Sequence, residues 1–129
     1  MSTTIAGYYT EELTDWNNCI KFYDEEIGEI EKKLAEVIRR NGIVDIAGKV
    51  EAKQKFLDII ADKFYKLQVA FREQEADLKT DHTFIDNSRL DIETELEQND
   101  LRHRMQETEK EYIDIKFDCY HFLSGILKK

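Results

Sequence analysis

Apolar residues recur along the chain at alternating steps of three and four. Between residues 11 and 41 the series Leu13, Trp16, Ile20, Tyr23, Ile27, Ile30, Leu34 and Val37 keeps that step without a break. This is the seam of a coiled-coil-like helix with one dry face. Thr10 stands in the place of an N-cap, with Glu11 and Glu12 in the electropositive first turn. Arg39 and Arg40 fall in the last turn, and Asn41-Gly42 offers a left-handed stop. The pattern predicts a helix over 11–41.

A second seam follows a short turn: Ile46, Val50, Lys53, Leu57, Ile60, Phe64, Leu67, Phe71, Gln74 and Leu78. It predicts a helix over 46–79 capped by Asp45. Lys53 and Gln74 are expected to reach out to water from its two ends. Phe56, Ile59, Tyr65 and Val69 are expected to widen its apolar face for contact with two neighbours.

The third segment predicts a helix over 84–127. Thr83-Phe84-Ile85-Asp86 and Ser88-Arg89-Leu90-Asp91 both have capping-box form, so the start falls near 82 or 89. Ile85, Ile92 and Leu96 pattern its first half weakly. Leu101, Met105, Thr108, Tyr112, Ile115, Cys119, Phe122 and Ile126 pattern its second half, out of phase by two residues. The strand-like alternation at 113–119 has no pairing partner and is read as helix. The fold class is all-α, an antiparallel up-down-up three-helix bundle with long coiled-coil-like helices, one domain over 1–129 with 1–9 loose. Turns centred near 42.5 and 83.5 place residue i of the first helix level with 85−i on the second and 82+i on the third.

Composition sharpens this picture in three ways. No proline interrupts the 129 residues, which suits long helices. The net charge of −9 disfavours nucleic acid and anionic membrane as partners. No apolar run approaches a membrane span, and Met1 to Tyr9 lacks the basic and apolar regions of a secretory signal. The acidity is concentrated in the first and third helices, which leaves an acidic regulator of a basic partner as one functional alternative. The two cysteines, Cys19 and Cys119, read as reduced core thiols about a hundred residues apart.

Candidate chemistry is sparse. The glycines form no phosphate-binding loop and no nucleophile elbow. Asp100-x-x-His103 and Asp118-x-x-His121 have the spacing of a helical metal pair. Both lie on one helix, about 27 Å apart. No metal and no cofactor is expected, and no catalytic residue. Cys19 with His103 is the one conceivable nucleophile–base pair, without an oxyanion donor to make it catalytic. Asn99, His103 and Gln106 form a candidate polar pocket where the third helix changes phase, with Asn17 and Lys21 at matching height. Ile113, Phe117, Tyr120, Leu123 and Leu127 form a second apolar stripe beside the seam, more than a three-helix core needs, and are the candidate interface.

Trp16 to Val37, with Phe22-Tyr23-Asp24-Glu25-Glu26-Ile27 and Glu31-Lys32-Lys33-Leu34-Ala35-Glu36-Val37, resembles a group of small uncharacterised bacterial helical proteins. Val50-Glu51, Gln54 and Phe56, then Leu101-Arg102-His103-Arg104-Met105, Tyr112 and His121-Phe122-Leu123 extend the resemblance over most of the chain. It implies a helical bundle in a bacterial cytoplasm and no assigned activity. The sequence thus points to a non-enzymatic module for protein–protein interaction or oligomerisation, with a homodimer or another protein as partner and no small-molecule ligand. The alternative is a ligand- or metal-binding bundle using the level of His103.

Overall fold

The structure is a computed structural model and describes residues 4–41, 44–84 and 92–127. Every described residue except Thr4 is helical. The helices are α1 (Ile5–Asn41), α2 (Val44–Phe84) and α3 (Ile92–Leu127). They pack against one another as an all-α three-helix bundle. The strand-like alternation at 113–119 lies inside α3.

Four boundaries move from the sequence expectation, while the ends of α1 at Asn41 and α3 at Leu127 stay. Thr4, not Thr10, caps α1: its hydroxyl accepts from the Gly7 N–H at 2.8 Å and its carbonyl from the Tyr8 N–H at 3.0 Å. Residues 5–9 are therefore helical rather than loose. Thr10 sits inside the helix and donates its hydroxyl back to the Ala6 carbonyl at 2.9 Å. The extra turns also bury Ala6, one heptad before Leu13. At the start of α2, Asp45 belongs to the first turn rather than standing outside it. α2 continues to Phe84, so Thr83 is helical there and α3 does not start near 82 or 84. Gly42 and the Ser88 capping box lie outside the described residues.

Packing gathers into two compact units, Met1–Lys21 with Phe64–Glu107, and Phe22–Lys63 with Thr108–Lys129. Each draws on all three helices. In the first unit Leu13, Ile20, Phe64, Leu67, Phe71, Leu78, Leu101 and Met105 are buried. Trp16 lies on Phe71 and Asn17 meets Gln68, so α1 and α2 run antiparallel there. Residues 86 to 90 positions apart join α1 to α3, which makes those two parallel. In the second unit the core is Ile27, Ile30, Leu34, Val37, Val50, Leu57, Ile60, Tyr112, Cys119 and Leu123. The same separations of 86 and 90 join its α1 and α3 segments. The expected separation of 82 is short by one to two turns. The reason is that α2 runs past 79 to Phe84 and moves the reversal towards the C-terminus.

The α1 and α2 seams bury as the heptad step requires. Two expectations fail beside them. Phe56, Ile59 and Tyr65 are exposed, so they do not widen the α2 core face. Gln74 does not reach water: it is buried, and its amide donates to the Thr94 carbonyl at 2.9 Å and to Gln98 Oε1 at 3.0 Å. The supposed phase change in α3 also disappears. Its inward residues run Thr94, Gln98, Leu101, Met105, Thr108, Tyr112, stepping four and three throughout. The first two are polar, while Ile92 and Leu96 face outward at 70% and 62% exposure.

Ile27 is buried in mid-seam, so Ile27→Asp places an unpaired charge in the core. We expect a loss of about 3–5 kcal/mol in urea denaturation. Glu29 is exposed and pairs only with Lys32 at 3.7 Å. Glu29→Ala should stay within about 0.5 kcal/mol of wild type. Similar losses for the two variants would contradict the register of α1.

Candidate functional site

The stripe on the C-terminal half of α3 splits. Ile113, Phe117 and Tyr120 are exposed at 43%, 59% and 36%. Leu123 is not part of that surface: at 6% exposure it belongs to the core, because it stands four residues beyond Cys119 on the inward seam. The side chain of Leu127 lies outside the described residues. Phe22 of α1, 56% exposed, packs its ring edge-on to Tyr23 at 6.0 Å, and Tyr23 meets Tyr112 at 5.0 Å. By the 86–90 separation Phe22 stands about one turn before the level of Ile113. On the flank of that face, Lys33 and Lys116 each hold their ammonium 5.9 Å from the Tyr120 ring centre.

The polar trio does not face the core. Asn99, His103 and Gln106 are all exposed, because the continuous seam through Gln98, Leu101 and Met105 turns them away from the core. Asn99 accepts from Arg102 at 2.6 Å, and His103 lies 3.2 Å from Glu107, one turn along α3. Cys19 is exposed rather than a core thiol, and it does not meet His103. The α1–α3 separation carries Cys19 past it to residue 105 and beyond. The metal-spaced aspartates hold cations instead: Asp100 pairs with Arg104 at 3.6 Å and Asp118 with Lys53 at 2.6 Å. No group of three or more His, Cys, Asp or Glu among the described residues is arranged to hold a metal ion. Cys119 is buried, and burial pushes its thiol pKa up, which keeps it protonated and poorly nucleophilic.

Sequence reasoning missed a pair of carboxylate clasps between α1 and α3. Glu12 takes both Arg102 Nε and Nη2 at 2.7 Å and Gln98 Nε2 at 2.8 Å. Glu26, in the other unit, takes Tyr112 Oη at 2.8 Å and Lys116 Nζ at 2.9 Å. The residues correspond at a spacing of fourteen, two heptads, on both helices. Single-helix periodicity treats Glu12 and Glu26 as ordinary flank residues, so only the pairing of two helices reveals them. Burial raises the pKa of Glu26, but the hydrogen bonds from Lys116 and Tyr112 outweigh it, and the net shift is downward. Glu31 moves the other way. Burial and the hydrogen bond and charge of Asp58 across the α1–α2 seam raise it.

A groove of about 420 Å³ opens between α1 and α2 in the first unit. Leu13 and Phe71 form its floor, with Asn17, Lys21, Tyr65, Gln68 and Arg72 among its lining. Asn17 and Lys21 stand out in the sequence as polar residues beside the seam, but they line a groove with α2 rather than α3, and Asn17 meets Gln68 across it. No protein-family model matches the chain, and neither a curated protein nor a solved structure matches it. No helix among the described residues is long and apolar enough to cross a membrane.

The two glutamates give opposite pH signatures. The folded pKa of Glu26 lies below its ordinary value, so its contribution is full above the unfolded pKa and is lost as pH falls through the folded one. Glu26→Gln should therefore flatten the acid side of the stability curve. The folded pKa of Glu31 lies above its ordinary value, so its ionised form opposes folding. Glu31→Gln should raise the urea midpoint at pH 7, and the gain should fade as pH falls through the raised folded pKa, vanishing near the ordinary glutamate value of about 4.3. Urea titrations from pH 3 to 7 on both variants check the signs.

Proposed function

We propose that the chain is a non-enzymatic helical module that associates with protein, most simply with a second copy of itself. The carrying observation is the exposure of Ile113, Phe117 and Tyr120 on α3, with Phe22 of α1 exposed at a neighbouring level. Phe117 and Phe22 leave more than half of their surface in water in the single chain. Covering a large apolar side chain is worth about 1.5–3 kcal/mol when complete, so these groups supply a driving force for association. Lysine ammoniums at the Tyr120 ring give the face a polar border, as protein interfaces have. The chemistry at the alternatives supports the same reading, since His103 and Glu107 form an exposed helical pair and the Cys119 thiol is buried and protonated. A reducing cytoplasm suits two cysteines that form no disulfide.

Sedimentation equilibrium tests the reading. Wild type should show a mass above 15.3 kDa that falls on dilution. Phe117→Lys combined with Tyr120→Lys should keep the helical spectrum and the urea midpoint but sediment as a monomer, because both positions face outward. A wild type that stays monomeric at millimolar concentration and retains nothing on the immobilised chain would remove the basis of the proposal.

A further inference from the structure

The α1–α2 groove of the first unit carries more donor capacity than the protein uses. Gln68 Nε2 donates to Asn17 Oδ1 at 2.9 Å, a bridge across the groove floor that fixes both carboxamides. This spends the acceptor of Asn17 and leaves its Nδ2 donor unspent. Lys21 stands one turn from Asn17 along α1, and Arg72 one turn from Gln68 along α2. Because the two helices run antiparallel here, these cations flank the bridge from opposite sides, each about 6 Å along the axis. That is the reach of one lysine or arginine side chain. Lys21 and Arg72 both line the groove, and among the described residues neither makes an ion pair or a hydrogen bond. Glu75 is the one carboxylate in the lining, and it lies 4.0 Å from Lys79.

The rest of the lining is mixed, with Thr14, Asn18 and Glu75 beside the apolar and aromatic residues. Leu13 and Phe71 close the floor, and Tyr65 presents an exposed ring on the wall near Lys21. The volume, about 420 Å³, lies in the range of small-molecule sites. We propose that this groove binds a small aromatic carboxylate. Its carboxylate sits over the Asn17–Gln68 bridge between Lys21 and Arg72, and its ring lies against Tyr65. A planar anion suits the set because a guanidinium pairs with a carboxylate in two parallel bonds, while the ring finds a π-face beside it. This site is independent of the association face on α3.

The probe is 2-naphthoate, with neutral 2-naphthylmethanol as its uncharged counterpart, titrated into the full chain and followed by amide chemical shifts. The expected result is saturable binding with a dissociation constant below about 1 mM, with shifts concentrated in 13–21 and 65–75. Naphthylmethanol should bind about tenfold more weakly, and Lys21→Gln with Arg72→Gln should weaken naphthoate by a similar factor. Lys21→Arg should retain it. Both cations are exposed, so these variants keep the fold, and unchanged urea midpoints verify it. Equal affinity for the neutral compound, shifts centred on Phe117 instead, or no saturation would each overturn the proposal.

Discussion

A helix packed against two others turns one stripe inward and leaves everything else to water, whatever its chemistry. Most features of this protein follow from that geometric limit. On α3 the inward stripe is fixed by Leu101, Met105, Tyr112 and Cys119, and its register extends to both ends of the helix. Toward the N-terminus it draws Thr94 and Gln98 into the core and leaves Ile92 and Leu96 outside. Toward the C-terminus it takes Leu123 and leaves Ile113 and Phe117 out. Continuity of the stripe outweighs the local preference of individual residues. The first unit tolerates a polar layer because Gln74, Gln98 and Glu12 satisfy most of one another's needs. Gln74 Oε1 is left buried without a partner, at a cost of about 1–3 kcal/mol.

The α1 and α2 cores were legible in the sequence, because unbroken runs of leucine, isoleucine and aromatic residues at heptad spacing leave one solution. Ile20, Ile27, Leu34, Leu57, Phe64 and Leu67 are buried as that spacing demands. The first half of α3 was not legible in the same way. Its apolar residues advertise one face and its neighbours' packing selects another, so residue type pointed to a phase change that the helix does not make. Candidate sites suffered from the same cause. Ile113, Phe117 and Tyr120 were visible as a surplus over what a core can hold, whereas Asn99, His103 and Gln106 were assigned inward from the wrong phase. The groove depends on which side chains of two antiparallel helices stand level, and the position of the α2–α3 reversal misled that estimate only for α3. The α1–α2 levels were right, as the contact of Asn17 with Gln68 illustrates.

Electrostatics divides the helix pairs into distinct kinds of seam. Between α1 and α3 the flanks are paired, with Glu12 on Arg102 and Glu26 on Lys116. Between α2 and α3 the lysines Lys53 and Lys63 meet Asp118 and Glu111. Between α1 and α2 the flanks are less balanced. Glu31 faces Asp58 in one unit, and in the other Lys21 and Arg72 have no carboxylate partner among the described residues. The acidic total of the chain therefore hides local surpluses of both signs along a single interhelical line.

The fourteen-residue spacing of the clasps acts on alignment. Heptad seams repeat every seven residues, so apolar contacts alone distinguish weakly between registers seven positions apart, and flanking charges set the alignment. A slide of α3 to the next register in one direction would set Glu12 against Met105 and Glu109, and in the other against Asp91 and Glu95. Glu26 would meet Cys119 and Leu123, or Met105 and Glu109. In every case a carboxylate loses its cation and gains either apolar surroundings or a second negative charge. The clasps thus work like the teeth of a ratchet: the seams hold the helices together, and two glutamates two heptads apart decide where along one another they stop.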